Sequence, residues 1–298
     1  MKRVLIPLIR GMRPEHWVKN SFDFTALVFS GSFARPGKYL PAILAFVAFC
    51  LGSSSAYLIN DVLDCTMDQV HPLKRMRPVA SRQLGKAHAV LASVPLMFTA
   101  LAVSFGINTR TGWGVLLYCL LTYGYSLVLK QIPLVDIAAI AMGFVLRAYA
   151  GATAIGVYPS PWLLMCSFLL ASFLALSKRY HELLTLGENS AAHRKSLSHY
   201  SKNSLLVLMF SCAAATMSLY VVYTLQPSTV RQVEGPALVF TTPFVAYGLL
   251  LYLRLVLKQG GGGRPVNVFL TDFRLMLSVA AWGISSALII FLASASSN

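Results

Sequence analysis

Long runs of apolar residues recur along this sequence, and they constrain its fold more than any other feature. Each run approaches the roughly 20 residues that a helix needs to cross a bilayer core. Backbone groups in hydrocarbon must satisfy one another, and the runs lack the period-two alternation of a β-barrel, so we expect helices. The runs occupy residues 16–33, 40–60, 87–107, 112–130, 133–156, 160–177, 204–225, 236–257 and 273–293. The sequence therefore predicts a single membrane domain over residues 1–298, an all-α bundle of about nine transmembrane helices.

The charge content agrees with a membrane protein and argues against a nucleic-acid partner. Only 12% of the residues are charged and 56% are hydrophobic, whereas a soluble domain carries about 25% charged residues. The net charge of +15 is spread over the segments between the apolar runs, whereas nucleic-acid binders gather their basic residues on a soluble face. Five cysteines without paired spacing predict neither a disulfide nor a zinc site.

The placement of the basic residues predicts the orientation of the chain. With the N-terminus inside, 20 lysines and arginines fall on the inner side. The outer side carries only four, which are Arg35, Lys38, Arg110 and Arg231. Because lysine and arginine mark cytoplasmic segments, we expect the N-terminus and the long loops 61–86 and 178–203 in the cytoplasm. With nine spans, Asn298 would then lie outside.

An acidic cluster follows the second run, where three of the ten acidic residues lie within eight positions. On a continuous helix, at about 100° per residue, the three carboxylates fall on one face. They are Asp61, Asp64 and Asp68, and Asn60 shares their face. Carboxylates this close repel one another unless a cation neutralises them, and Mg²⁺ binds one or two carboxylates together with phosphate oxygens. The cluster predicts a magnesium site, and the cost of ionisable groups at the end of a span disfavours a merely solvated helix end.

A basic stretch at 71–78 follows the acidic cluster at once and contains Lys74 and Arg77. Such cations form charge-assisted hydrogen bonds to phosphate oxygens. Carboxylates for a metal beside cations for phosphate predict a diphosphate site. Lysine and arginine can also be present only to fix the orientation of the chain in the membrane.

Three further features allow more than one interpretation. Asp136, at the start of the fifth run, can cap that helix or contact the ligand. Arg147, eleven residues deeper, is a candidate substrate-binding residue, because an intramembrane arginine usually marks function, or else it pairs with another helix. The glycine-rich stretch 259–263 is interpreted as a flexible linker, because it lacks the lysine of a phosphate loop.

The pattern N-D-x-x-D-x-x-x-D at 60–68 resembles the UbiA-type polyprenyltransferase superfamily. Other stretches resemble the decaprenyl-phosphate phosphoribosyltransferase branch of that superfamily. They are R-P-E-H-W-V-K-N at 13–20, K-R-M-R-P at 74–78, Y-S-L-V-L-K at 125–130, K-R-Y-H-E-L at 178–183 and R-K-S-L at 194–197. The resemblance extends from about residue 10 to 200, and the last three spans match in hydropathy alone.

This resemblance implies both a fold and an activity. The fold is a helical bundle around a central cavity that opens laterally to lipid, in the inner membrane of a bacterium. The activity is magnesium-dependent transfer of 5-phosphoribose from phosphoribosyl diphosphate to a polyprenyl phosphate such as decaprenyl phosphate. The product, polyprenyl-phosphoryl-phosphoribose, would supply the synthesis of cell-envelope arabinan.

The resemblance also suggests roles for individual residues. Asp61, Asp64 and Asp68 would hold Mg²⁺ and serve catalysis, with Lys130 on the phosphate oxygens. Asn60 would orient a carboxylate or donate to the ribose. The residues expected to bind phosphate groups or to position the donor are Lys19, Lys74, Arg77, Tyr125, Lys178, Arg179 and Lys195. Glu182 could complete a metal shell.

The stretch 177–182 departs from the aromatic prenyltransferases of the superfamily, which carry a second aspartate-rich motif there. It has one carboxylate, Glu182, beside the fixed cations Lys178 and Arg179, and these suit an anionic partner. An aromatic prenyltransferase using a prenyl diphosphate is therefore the second hypothesis. A transporter is the third, which the lack of internal repeats and the pooling of charge at one face disfavour. The sequence leaves open the isoprenoid chain length, the number of Mg²⁺ ions and a homo-oligomer.

Overall fold

The computed structural model describes residues 2–70, 72–186, 195–259, 263 and 265–296. The regular elements in these ranges are helices. The α-helices are α1 (Lys2–Met12), α2 (Thr25–Phe29), α3 (Tyr39–Leu63), α4 (Cys65–Val70), α5 (Lys86–Ile107), α6 (Thr109–Leu127), α7 (Val135–Ala154), α8 (Pro161–Leu186), α9 (Lys202–Leu225), α10 (Pro227–Gln232), α11 (Thr242–Gln259), α12 (Pro265–Thr271) and α13 (Phe273–Ser296). The 3₁₀ helices are Pro14–Phe24, Ser32–Ala34, Pro36–Lys38, Lys74–Met76, Leu129–Gln131, Lys195–His199 and Ala237–Thr241.

Seven of the described helices are long and apolar enough to cross a membrane. They are α3, α5, α7, α8, α9, α11 and α13. Large apolar side chains stay exposed along them, such as Leu91 and Phe98 on α5 and Leu288 on α13, as expected where lipid surrounds a bundle in place of water. The prediction of an all-α membrane bundle is confirmed, and the number nine stands as an approximation.

The first and fourth predicted spans are not among these seven helices, for different reasons. α6 has 19 residues and is about 28 Å long at 1.5 Å per residue, but threonine, glycine and tyrosine dilute its apolar side chains. The run 16–33 does not form one continuous helix. It consists of the 3₁₀ helix Pro14–Phe24 and the five-residue α2, which we call together the first segment. Asn20 and Asp23 on this segment are buried. The segment therefore packs against other parts of the protein, since a helix that faced lipid would carry apolar side chains at these positions.

The helices pack around the first segment, which contacts both α3 and α7. α3 packs against α5 and α6, α7 lies between α6 and α8, and α9 packs on α8. α11 packs on α13, which reaches back to α2. Gly151 of α7 permits the central contact, because a Cβ there would collide with the backbone carbonyl of Asp23.

The amphipathic helix α1 packs beside α3 and leads into the first segment. Leu8 and Met12 join the apolar cluster around Leu58, and Gly11 allows the close approach, since a Cβ there would lie 2.8 Å from the Leu58 side chain. The chain then turns sharply at Arg13, whose φ of 55° lies in the left-handed region that side chains seldom adopt. This turn brings Arg13 next to the end of α3.

Candidate functional site

Most of the charged residues singled out in the sequence meet at one end of the bundle, which we call the polar end. The end of α3, α4 and the Lys74–Met76 turn form one side of it. The Leu129–Gln131 turn, the start of α7 and the end of α8 form the other side. Ion pairs and hydrogen bonds across these elements show that they are in contact.

The helix that carries the aspartates is broken inside the motif. α3 ends at Leu63, the backbone N–H of Asp64 donates to the Asn60 carbonyl at 2.9 Å, and α4 begins at Cys65. The expectation of a continuous helix through Asp68 is therefore wrong at Asp64, although Asp61 and Asp68 still contact the same partner, Arg77. Aspartate has a low helix propensity, and Asp64 pairs with Lys130, whereas Asp61 and Asp68 share Arg77.

Asp61 and Asp68 share one cation, Arg77. The Nη1 atom of Arg77 lies 2.6 Å from Oδ2 of Asp68 and 3.4 Å from Oδ1 of Asp61. Arg13 donates a hydrogen bond to Oδ1 of Asp61, and its guanidinium lies 4.9 Å from the centre of the Tyr57 ring. The side chains of Asp61 and Asp68 are only 1% and 4% exposed, so these charges interact with little screening by water.

Asp64 pairs with Lys130, which the turn after α6 brings to the polar end. The Lys130 Nζ atom lies 2.5 Å from Oδ1 of Asp64, and both side chains are partly exposed. The structure thus brings all three predicted aspartates together with two of the predicted phosphate-binding cations, Arg77 and Lys130.

The acidic residues fit Mg²⁺ when a phosphate ligand completes its coordination. Mg²⁺ prefers carboxylate oxygens and usually keeps positions for substrate phosphates. Oδ2 of Asp61 is buried and has no hydrogen-bond partner within the described ranges, so its lone pairs are available to a cation. Among the described residues, no group of three or more histidine, cysteine or acidic side chains is close enough to hold a metal unaided. A bound phosphate would supply the missing oxygens.

Arg179 occupies the centre of a second cluster, which is fully buried at Arg179 and Asp136 and partly exposed at Glu182. Its Nε atom donates to Oδ2 of Asp136 at 2.8 Å, Nη1 to Oε2 of Glu182 at 2.5 Å, and Nη2 to the Tyr125 hydroxyl at 3.2 Å. The side chains of Arg179 and Asp136 are both 0% exposed. Glu182, a candidate metal ligand from the sequence, is here a partner of Arg179, with Lys178 3.9 Å away.

Asp136 also anchors the turn Lys195–His199 and the residue after it. The Tyr200 hydroxyl donates to Oδ1 of Asp136 at 3.1 Å and accepts from the Leu134 backbone N–H at 2.6 Å. Ser196 donates to the backbone carbonyl of Lys130 at 3.2 Å. Burial raises the pKa of Tyr200 to about 12, so its hydroxyl stays protonated and can donate. Asp136 therefore contacts other protein groups, and the turn is held against Lys130.

The remaining predicted site residues lie at or near the polar end, with one exception. Those that are half-buried there, or on the first segment leading to it, are Lys19, Asn60, Lys74 and Tyr125. Lys178 is 42% exposed. Lys195 begins its turn, and its side chain lies outside the described part of the structure, as do His71, Arg194 and most of the glycine-rich stretch.

Arg147 is the exception, because it lies deep in the bundle. It donates to Oδ1 of Asn20 at 2.8 Å, to the Gly143 carbonyl at 2.9 Å and to the Tyr118 hydroxyl at 2.7 Å. At 1.5 Å per residue it lies about 16 Å along α7 from Asp136. Its contacts join the first segment, α6 and α7, which is the inter-helix pairing considered from the sequence.

Two contributors to the polar end were absent from the predicted site residues. Arg13 pairs with Asp61, and its position in the R-P-E-H-W-V-K-N stretch was a usable signal. Tyr200 contacts Asp136 across 64 positions of sequence, and no local pattern indicates such a contact.

Comparison with known proteins shows which protein family this sequence matches. It matches the UbiA prenyltransferase family over residues 24–273. A decaprenyl-phosphate phosphoribosyltransferase of Corynebacterium glutamicum is 33% identical over 283 residues, covering 92% of this chain and 84% of the relative. One of Mycolicibacterium smegmatis is 28% identical over 296 residues, covering 94% and 91%. These matches confirm the resemblance inferred from the motifs.

A solved structure supports the fold. A UbiA homologue of Archaeoglobus fulgidus bound to GPP and Mg²⁺ superimposes on this chain with a TM-score of 0.70. The two share 19% sequence identity, and the match covers 97% of this chain and 98% of the homologue. The arrangement of helices is therefore that of a known membrane fold.

Proposed function

The chain belongs to the UbiA prenyltransferase family, and on this premise we propose that it transfers 5-phosphoribose from phosphoribosyl diphosphate to a polyprenyl phosphate. The observation that carries the proposal is the polar end, where the aspartate motif lies against fixed cations, Arg77 and Lys130 among them. The relatives from Corynebacterium and Mycolicibacterium are named decaprenyl-phosphate phosphoribosyltransferases, which supports this choice of donor and acceptor.

The donor's diphosphate would bind between the aspartates and these cations. Asp61 and Asp68 would hold Mg²⁺, with Asp64 on the more exposed side. Bound Mg²⁺ would neutralise the negative charge that develops on the departing diphosphate. Arg77 and Lys130 add fixed positive charge in the same place, and such preorganised groups stabilise a transition state more than they do in water.

The reaction exchanges one oxygen for another at the ribose C1 atom. The bond from C1 to the diphosphate oxygen breaks, and a bond from C1 to an oxygen of the lipid phosphate forms. A phosphate monoester has its second pKa at about 6, so the acceptor is largely ionised at pH 7 and needs no protein base. The task of the protein is to hold two anions in line, and such positioning removes a large part of the barrier.

The donor's 5-phosphate requires cations apart from the aspartates. Lys178 is exposed at the end of α8, and we assign it to this phosphate or to the lipid phosphate, together with Lys19 and Lys195. Arg179 is enclosed by Asp136, Glu182 and Tyr125, and we assign it the role of a positioning residue.

We place the polar end at the cytoplasmic face of a bacterial inner membrane. A donor with several phosphate charges cannot cross a bilayer unaided, because burying isolated charge in hydrocarbon costs many kcal/mol. The excess of lysine and arginine on the same side of the spans supports this orientation.

A labelling experiment tests the proposal. Purified protein is incubated with phosphoribosyl diphosphate labelled in the ribose, decaprenyl phosphate and Mg²⁺. We expect label to enter the organic phase and to stay in water when a chelator is added. A parallel reaction offers geranyl diphosphate and an aromatic acid. Prenylated acid without labelled lipid would replace the proposal by aromatic prenylation.

A further inference from the structure

Each aspartate of the motif is paired with a cation that belongs to the chain itself. The pairs are Arg13–Asp61, Arg77–Asp61, Arg77–Asp68 and Lys130–Asp64. Three carboxylates therefore face three cations, and their charges cancel. A site that needs a divalent ion to become neutral would not carry this set.

Arg77 bridges two of the carboxylates. One nitrogen atom, Nη1, lies within 3.4 Å of an oxygen of Asp61 and within 2.6 Å of an oxygen of Asp68. Both carboxylates are almost completely buried, and charges in such surroundings are screened far less than on a surface. A metal ion that joined the cluster with Arg77 in place would meet strong repulsion.

We propose that Arg13, Arg77 and Lys130 are exchangeable counterions, which must pass from carboxylate to diphosphate before Mg²⁺ can settle on the aspartates. Mg²⁺ alone would leave an excess of two positive charges, and a diphosphate alone would leave an excess of negative charge. Mg²⁺ and a diphosphate bound together leave the smallest net charge at the site. Metal and diphosphate therefore bind as a pair, and each raises the affinity of the other by the same factor. The inference rests on the proposed function for the identity of the diphosphate.

The orphan oxygen of Asp61 fits this exchange. Oδ1 of Asp61 accepts from Arg13 and lies near Arg77, whereas Oδ2 is buried without a partner in the part of the chain that is described. A buried acceptor without a partner is destabilising, so a cation that binds this oxygen would improve the arrangement. The metal would use Oδ2 as the two arginines move to phosphate oxygens.

Binding of Mn²⁺ to the detergent-solubilised full chain tests the proposal, because the electron paramagnetic resonance signal of free Mn²⁺ measures the unbound metal. Titrations are run with and without inorganic pyrophosphate, with correction for the complex that forms in solution. For the wild type we expect pyrophosphate to raise the affinity for Mn²⁺ by about tenfold or more, within the usual range of coupling between sites. For Arg77→Gln we expect a rise of similar size without pyrophosphate, together with weaker binding of pyrophosphate in Mg²⁺.

Arg77→Gln is thus expected to strengthen Mn²⁺ binding and to weaken pyrophosphate binding. These opposite effects distinguish an exchangeable counterion from a residue that only binds phosphate. A residue that only binds phosphate would lower pyrophosphate affinity and leave the Mn²⁺ affinity unchanged. Arg75→Gln is the matched control, since it removes an exposed cation from the same turn, and it should change neither affinity. Arg13→Gln repeats the test with an independent cation should Arg77→Gln not yield folded protein.

The proposal is overturned if the wild type binds Mn²⁺ equally well with and without pyrophosphate. It is equally overturned if neither arginine variant binds Mn²⁺ more tightly than the wild type does. Because pyrophosphate carries no ribose, a failure of ribosyl transfer with this binding pattern intact would refute the proposed donor alone.

Discussion

Arg179 and Lys178 are adjacent in the sequence but lie in opposite environments. Arg179 is fully buried among Asp136, Glu182 and Tyr125, whereas Lys178 is 42% exposed. The motif 178–183 begins with these two cations, and from the sequence both are expected to bind phosphate groups or to position the donor. Which of them faces α7 depends on how α7 and α8 pack, and this information is spread over both helices. Residue identities at the site were therefore predictable, and their separate tasks were not.

Removal of the Arg179 side chain should destabilise the fold more than it affects any phosphate directly. Arg179→Ala would leave Asp136 buried without its guanidinium, and breaking a buried ion pair in this way costs about 3–5 kcal/mol. Thermal unfolding in detergent measures the loss. Lys178→Ala is the matched control, with a loss of at most about 1 kcal/mol as for exposed pairs. Equal unfolding temperatures for both variants would contradict the positioning role.

Lys178→Ala should instead impair the reaction. A charge-assisted hydrogen bond contributes about 1.5–3 kcal/mol, so the loss of one phosphate contact should weaken donor or acceptor binding by about tenfold or more. The measurement is the KM for each substrate in the labelling assay. An unchanged KM for both would remove Lys178 from the phosphate sites.

Each aspartate of the motif should be required for transfer. Asp61→Ala, Asp64→Ala and Asp68→Ala should each lower the rate by about 100-fold or more, the loss typical when one electrostatic stabiliser of a transition state is removed. Asp61→Ala and Asp68→Ala should also lower the unfolding temperature, because each removes one of the two buried carboxylates that pair with Arg77. Near-normal activity in all three variants, or no effect of a chelator, would refute the magnesium site.

At the scale of helices, the contact between the first segment and α7 depends on a single glycine. Gly151→Ala should destabilise the protein by about 1–3 kcal/mol, the usual cost of overpacking, because the new Cβ meets the carbonyl of Asp23. Gly106→Ala on α5 is the matched control, since nothing lies within 4 Å of its Cβ position. The measurement is the unfolding temperature in detergent, and equal values for the two variants would show that the first segment can shift freely.

Hydropathy predicted the long helices because lipid imposes the same requirement on each of them. It could not predict that the run 16–33 starts as a 3₁₀ helix, since the partners of Asn20 lie far away in the sequence, Cys50 on α3 and Arg147 on α7. The break at Asp64 was equally hidden. Angles calculated for an ideal helix assume that the helix continues, whereas Asp64 ends one helix and pairs with Lys130 66 positions away.

For the whole molecule, the basic residues predict that the polar end faces the cytoplasm. Reporter fusions in the loops 72–84 and 156–160 should report opposite sides of the membrane. The N-terminus should share the cytoplasmic side with the first of these loops, and Asn298 should lie outside. Both termini on one side would mean that one segment does not cross, and the first segment, with its buried Asp23, would be the one to reassign.

The bond between Asn20 and Arg147 has a consequence for biosynthesis, since it joins residues 127 positions apart. The ribosome releases the first segment long before α7 is made. Until then Asn20 lacks this partner, and an acidic residue such as Asp23 costs about 2.5–3.5 kcal/mol at the centre of a helix during insertion by the translocon. We therefore expect the nascent first segment to wait at the membrane surface beside α1 and to enter the bundle only after α7 has been inserted. The part of the protein that is translated first would then be among the last to reach its final position.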